Sequence, residues 1–242
     1  MRQLKTWKFV FLILCLSTLA ACGTSAQNAT LEGSAATPTA AAAPTQAQPP
    51  ADSGGATPAE AAPGMLSFVI VPGESEARFI IDEVLAGSPN TVVGTTQEIE
   101  GQLSVDPQDP AGASISTITI GAGSLATDNN FRNRAISSFI LQTGDYPTIT
   151  FTPSAVAGLP AAAAVGDTLN FQVTGDLTIR DITQAITFDV TVNIESETRL
   201  SGTAKAMVNR ADFDLKIPSV AQVANVSEQV QLELDFVAEV GS

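Results

Sequence analysis

Leu169-Asn170-Phe171-Gln172-Val173-Thr174-Gly175-Asp176-Leu177-Thr178-Ile179 alternates apolar or small residues with polar ones at every step. After Arg180-Asp181 the rhythm returns, with Ile186, Phe188, Val190, Val192 and Ile194 set against Thr187, Asp189, Thr191 and Asn193. Side chains of a strand point alternately to opposite faces, so each run has one dry face and one wet face. Strands that are dry on one side only, with short breaks between them, belong to an antiparallel sheet. A parallel sheet buries both faces and needs long crossovers.

The same pattern extends outward in both directions. Ile99, Gly101, Leu103 and Val105 alternate with Glu98, Glu100, Gln102 and Ser104, and Val230, Leu232, Leu234 and Phe236 repeat the pattern near the C-terminus. Leu66–Val71, Ala77–Val84, Ile115–Ile120, Thr148–Thr152 and Leu200–Val208 are looser matches. Turn residues fall between them at Gly87-Ser88-Pro89-Asn90, Asp106-Pro107-Gln108-Asp109-Pro110, Gly158-Leu159-Pro160 and Arg180-Asp181. The expectation is an all-β domain of about eight strands closed into a barrel or folded into a sandwich, with one or two short helices. One helix is expected after a cap at Thr127 or Asp128, with Phe131, Ala135 and Phe139 as its apolar stripe, Ile136 and Ile140 beside them, and an end near Gly144.

Upstream the chain is of a different kind. Positively charged Met1–Lys8 precedes an apolar run, Phe9 to Ala21, which is too short to span a bilayer but suits the core of a signal peptide. The run ends in Leu19-Ala20-Ala21-Cys22, which resembles the lipobox of bacterial lipoproteins and implies a lipidated Cys22. Residues 22–64 are rich in Ala, Pro and Thr, with no aromatic and no positive charge, and their prolines at 38, 44, 49, 50, 58 and 63 interrupt any helix. The division expected is therefore a signal segment (1–21), a lipidated cysteine with its linker (22–64) and a folded domain (65–242). The linker would span roughly 35 Å as a random coil. Cys15 falls in the signal segment, so the exported chain would have no internal disulfide.

Composition narrows the chemistry. The 242 residues contain 25 Asp and Glu against 11 Lys and Arg, and no His. Without imidazole there is no Ser-His-Asp or Cys-His nucleophile pair and no His-ligated metal, so neither an enzyme, a metal site nor a cofactor is expected. Arg2, Lys5 and Lys8 lie in the signal segment, which leaves eight cations for all 25 carboxylates. Such a surface repels phosphate backbones, and nucleic acid is not expected as a partner.

Gly121-Ala122-Gly123-Ser124-Leu125-Ala126 has the outline of a dinucleotide fingerprint but no βαβ rhythm around it, and reads as a glycine turn. Glu74, Glu76, Asp82 and Glu83 lack a calcium-loop spacing and read as a solvated face. Asp128 reads as a helix cap. Arg132 and Arg134, two of the eight remaining cations, could meet an anionic head group or form ion pairs. Gly202, Ala204 and Ala206 are small residues on a dry face, so the interior either holds a cavity or is filled by larger side chains opposite them.

Three segments together resemble the YceI-like family: Thr127-Asp128-Asn129-Asn130-Phe131-Arg132-Asn133, Asp145-Tyr146-Pro147-Thr148-Ile149-Thr150-Phe151, and Gly175 to Val190. The resemblance covers Leu66 to Val240 and implies a lipocalin-like antiparallel barrel, extracytoplasmic, with an isoprenoid or other long lipid chain in an apolar tunnel. Family members commonly carry His in the first strand region and where Arg180 stands, so head-group recognition here does not rest on imidazole. The expected tunnel lining is Phe79, Phe131, Phe139, Phe171, Phe188 and Phe236, with Arg132 and Arg134 as head-group contacts. The expected partners are that lipid and the outer face of a bacterial membrane reached through Cys22, and a homodimer is left open. The rival reading is a solid barrel whose loops bind a protein or glycan.

Overall fold

A computed structural model describes residues 64–241. The expected signal segment, Cys22 and all but the last residue of the linker lie outside the described residues. The strands are β1 (Leu66–Ile70), β2 (Glu76–Leu85), β3 (Ser88–Thr96), β4 (Ile99–Glu100), β5 (Gln102–Asp106), β6 (Asp109–Ile115) and β7 (Ile118–Gly121). After a helical stretch come β8 (Thr148–Ala157), β9 (Thr168–Ile179), β10 (Ile182–Ser196), β11 (Arg199–Asn209), β12 (Val223–Ala224) and β13 (Gln229–Val240).

All pairings between these strands are antiparallel, and the sheet curls into a lipocalin-like barrel. Its path runs β4-β7-β8-β9-β10-β11-β13-β1-β5, and only Gly101 separates β5 from β4, so the ring returns to its starting strand. A Cβ at Gly101 would lie 3.1 Å from Ile70 Cδ1 and closer still to Ile118 Cδ1, which is why the bend falls on a glycine. The last strand, β13, gives one edge to β11 and divides the other between β2 (Gln231–Asp235) and β1 (Ala238–Val240). Buried Ser75 bridges that division: its hydroxyl donates to Val71 O at 3.0 Å and accepts from Val237 N–H at 3.0 Å.

Two strands lie where turns were expected. The first hairpin turns on Ala86-Gly87, both at positive φ, and Ser88, Pro89 and Asn90 already belong to β3. The second turns on Pro107-Gln108, so Pro110 belongs to β6. Both prolines sit on strands paired along one side, apart from a bridge between Thr95 and Ala126, and such an edge needs no donor from proline. The Arg180-Asp181 turn is as expected, joining Ile179 to its partner Ile182.

The helix also departs from expectation. Asn129, not Thr127 or Asp128, is its cap, with the side-chain oxygen accepting from Phe131 N–H and Arg132 N–H. Helix α1 (Asn130–Ala135) continues as a π-helical turn (Ile136–Ile140) and stops before Gly144. Its inward stripe is Arg132, Ile136 and Ile140, one residue over from the stripe expected, so Phe131 and Phe139 are 78% and 67% exposed. Arg132 turns inward because its partner, Glu83, is buried there.

Candidate functional site

Two buried clusters flank an open interior. Phe68, Val192, Leu200 and Ala238 close one end, and Ile179, Val208, Leu141 and fully buried Phe213 underlie the helix at the other. Between these clusters lies a cavity of about 640 Å³. Its wall is made by the dry faces of the strands: Phe171, Val173, Leu177 and Ile179 from β9, Phe188, Val190 and Val192 from β10, and Leu232, Leu234 and Phe236 from β13.

Glycines keep the centre open. Phe79 pairs with Gly94 across β2 and β3, and Phe236 pairs with Gly202 across β13 and β11. A Cβ at Gly94 would lie 2.5 Å from Phe79 Cζ, and one at Gly202 would lie 2.7 Å from Phe236 Cζ. Each ring therefore leans over its glycine, against the wall and away from the lumen. The small residues of β11 thus do both things left open by the sequence: Gly202 receives a ring from opposite, and a cavity remains. Phe151 and Phe188 meet edge to face with centroids 4.9 Å apart, fixing a third part of the wall.

Of the residues expected at the site, Phe79, Phe131, Arg132, Phe171, Phe188 and Phe236 border the cavity. Phe139 and Arg134 do not: Phe139 points to solvent, and the Arg134 guanidinium stacks 4.7 Å from the ring centroid of Phe131. Both follow from the one-residue rotation of the helix stripe.

The mouth has polar fixtures that the sequence reading missed. On β2 the inward positions are Ala77, Phe79, Ile81, Glu83 and Leu85, so Glu83 is a carboxylate in an apolar row. It is buried, contrary to the solvated face expected of it. Its Oε1 accepts from Arg132 Nη2 at 3.0 Å and from Asn90 Nδ2 at 3.0 Å. Arg132 Nη1 also reaches Asp128 at 2.6 Å, which gives Asp128 a use other than capping. The signal was present in the parity of the strand, since a charge in phase with Phe79 and Ile81 must face inward.

Two further arginines hold the rim. Arg210 donates from Nε to Ser227 O at 3.1 Å and from Nη1 to Leu215 O at 3.1 Å, and it pairs with Glu228. The segment it fixes contributes Ile217, Pro218, Val220 and Ala221 to the mouth. Arg180, at φ 57°, sends Nη1 to Ile140 O at 3.2 Å and Nη2 to Phe213 O and Asp214 O at 3.4 and 3.3 Å. It thereby ties the end of the helix, the β9–β10 turn and the segment after β11 into one assembly.

Outside the barrel, Glu233 lies between Lys205 Nζ at 2.9 Å and Arg78 Nε at 2.7 Å. These two cations, Lys205 foremost, hold its carboxyl down from 4.5 to about 2. That group is a structural brace on β13, whose alternate residues Leu232 and Leu234 turn their side chains to the lumen.

A family model for the YceI-like domain matches residues 68–238. Protein YceI of Escherichia coli O6:H1 is 27% identical over 129 residues, which is 51% of this chain and 63% of the relative, so the match spans less than two thirds of that protein. A UPF0312 protein of Pseudomonas savastanoi pv. phaseolicola is 25% identical over 182 residues, covering 73% of this chain and 88% of the relative. Among solved structures, BcnA of Burkholderia cenocepacia superposes with a TM-score of 0.54 at 22% identity, covering 69% of this chain and 98% of the other. A polyisoprenoid binding domain from Saccharophagus degradans, implicated in plant cell wall breakdown, gives 0.57 at 17% identity, covering 73% and 99%. At these identities the likeness to the solved structures is one of fold.

Proposed function

The chain belongs to the YceI-like family, and from that premise we propose that it binds an isoprenoid or similar long-chain amphiphile inside the barrel, as a carrier or reservoir. The observation that supports this most directly is the apolar cavity of about 640 Å³, within the range that holds small-molecule ligands and far beyond the voids of a packed core. Burial of a hydrocarbon chain gains about 0.8 kcal/mol per CH₂, so a few isoprene units offset the cost of association. The fold relative from Saccharophagus degradans is described as polyisoprenoid binding, which agrees with this reading. No catalytic step is proposed. The rival, a loop-binding module with a solid barrel, gives no reason for the open centre.

The same proposal places the domain outside the cytoplasm. Export by residues 1–21 and lipidation of Cys22 would tether it to the outer face of a bacterial membrane, with the Ala/Pro/Thr-rich segment as spacer.

Native mass spectrometry with lipid extraction tests the reading. The full chain purified from a bacterial host should carry a long-chain lipid that is lost in Phe171→Glu or Phe188→Glu while the barrel's circular dichroism is kept. A chain that is empty as purified and takes up no prenyl lipid when offered one overturns it.

A further inference from the structure

We infer that the cavity mouth docks on a phospholipid bilayer, with Phe131 and Phe139 in the interface and Arg134 at the phosphates. The inference rests on the reading that the cavity holds a lipid, and goes beyond it by assigning the surface through which that lipid is exchanged.

The first ground is where the exposed apolar side chains lie. Phe131 and Phe139 are the most exposed large apolar residues described, at 78% and 67%, and they share the outer face of one short helix. Phe131 also borders the cavity, as do exposed Leu85 at the end of β2 and exposed Val220 in the segment before β12. Three separate elements thus place bare apolar side chains around one opening, and Phe131 belongs both to the exposed surface and to the lining of the lumen.

The second ground is charge. Among the described residues, Arg78, Arg132, Arg199, Lys205, Arg210 and Lys216 each pair with a carboxylate. Arg180 is bonded to backbone carbonyls. Arg134 has no ion pair there; its guanidinium stacks on Phe131. An aromatic ring with a free cation beside it is suited to the boundary between acyl chains and phosphates, the ring entering the former and the cation meeting the latter.

The third ground is shape. A protein partner needs about 800 Å² of complementary surface. Single apolar side chains spaced around an opening offer no such patch, whereas a fluid bilayer conforms to them. A mouth seated in the interface also lets a chain pass from membrane to cavity without crossing water, where each CH₂ would resist exposure.

Fluorescence quenching by brominated phosphatidylcholine vesicles tests the docking on the full chain. Trp7 is the only tryptophan, so Trp7→Phe makes an introduced one the sole reporter. Phe139→Trp reports the mouth. Val165→Trp is the control: Val165 is also exposed, but lies beside the start of β9, at the opposite end of that twelve-residue strand from the Arg180 turn. A lipid anchor would tether both variants equally. Docking predicts severalfold stronger quenching at 139 than at 165, reduced by Arg134→Glu. Quenching that is absent at 139, equal at both positions or indifferent to Arg134→Glu overturns it. Lipid extracted from the same preparations separates the two readings: a lipid-loaded chain unquenched at 139 fails the docking alone, and an unloaded one fails the reading beneath it.

Discussion

Arg132 and Glu83 meet across the mouth of the barrel, with Nη2 donating to Oε1 at 3.0 Å, and this pair sets the face that the helix turns inward. The Glu83 side chain is 6% exposed and that of Arg132 19%, so removing Arg132 strands a carboxylate whose remaining side-chain partner is neutral Asn90, whereas Arg132 without Glu83 keeps Asp128.

Arg132→Ala should therefore lower stability by about 2–3 kcal/mol, somewhat under the cost for a fully buried pair because Arg132 retains some solvent. Replacing both partners, as Glu83→Leu with Arg132→Met, should recover most of that loss. Urea midpoints of Glu83→Leu, Arg132→Met and the double variant check this, since a coupling energy near zero would show that the pair does not act as a unit.

Gly94→Ala should push the Phe79 ring off the wall and into the lumen, because the atoms nearest to the added Cβ all belong to that ring. Overpacking of this kind costs about 1–3 kcal/mol. Phe79→Leu in the same chain should relieve it, giving a double variant more stable than the Gly94→Ala single, and lipid loading should fall in the single and return in the double. Thermal unfolding with lipid extraction reads both effects.

Acid should weaken the brace on the outer face. Lys205 and Arg78 hold the Glu233 carboxyl at about 2 against an ordinary 4.5. A carboxylate whose pKa is depressed by folding contributes stability above 4.5, and that contribution fades as the pH falls toward 2. Melting temperatures between pH 6 and pH 2 should drop more steeply for the parent than for Glu233→Gln, which begins lower at neutral pH and has less to lose. Parallel curves would refute the assignment.

Arg180→Ala should loosen the rim without emptying the core. The guanidinium spans Ile140 O, Phe213 O and Asp214 O, and its loss removes donors from three carbonyls. The cost should be roughly 1–3 kcal/mol. Hydrogen exchange should accelerate in the 136–143 and 210–217 segments while the amides in the middle of β9 and β10 keep their protection. Arg180→Gly separates the two contributions, since glycine suits the positive φ at this turn but supplies no donor.

Alternation along the chain was enough to establish the strand periods, the antiparallel pairing of β9 with β10 through Arg180-Asp181, and the inward side of Phe171, Phe188 and Phe236. Those readings depend only on side chains alternating along a strand, a property local to each segment. Pro89 and Pro110 were misleading because proline marks a turn and also tolerates an edge strand, and whether a strand is an edge depends on its neighbours. The one-position shift of the helix stripe has a similar cause. Phe131-Ala135-Phe139 and Arg132-Ile136-Ile140 are both plausible stripes until a partner chooses between them, and the partner, Glu83, lies 49 residues away in sequence. The cavity too was decided only in three dimensions. Small residues on β11 permit either a gap or a filled core, and the outcome depends on which glycine each phenylalanine meets across the ladder. That registry is a property of the closed sheet, since the void it leaves lies between strands and belongs to none of them.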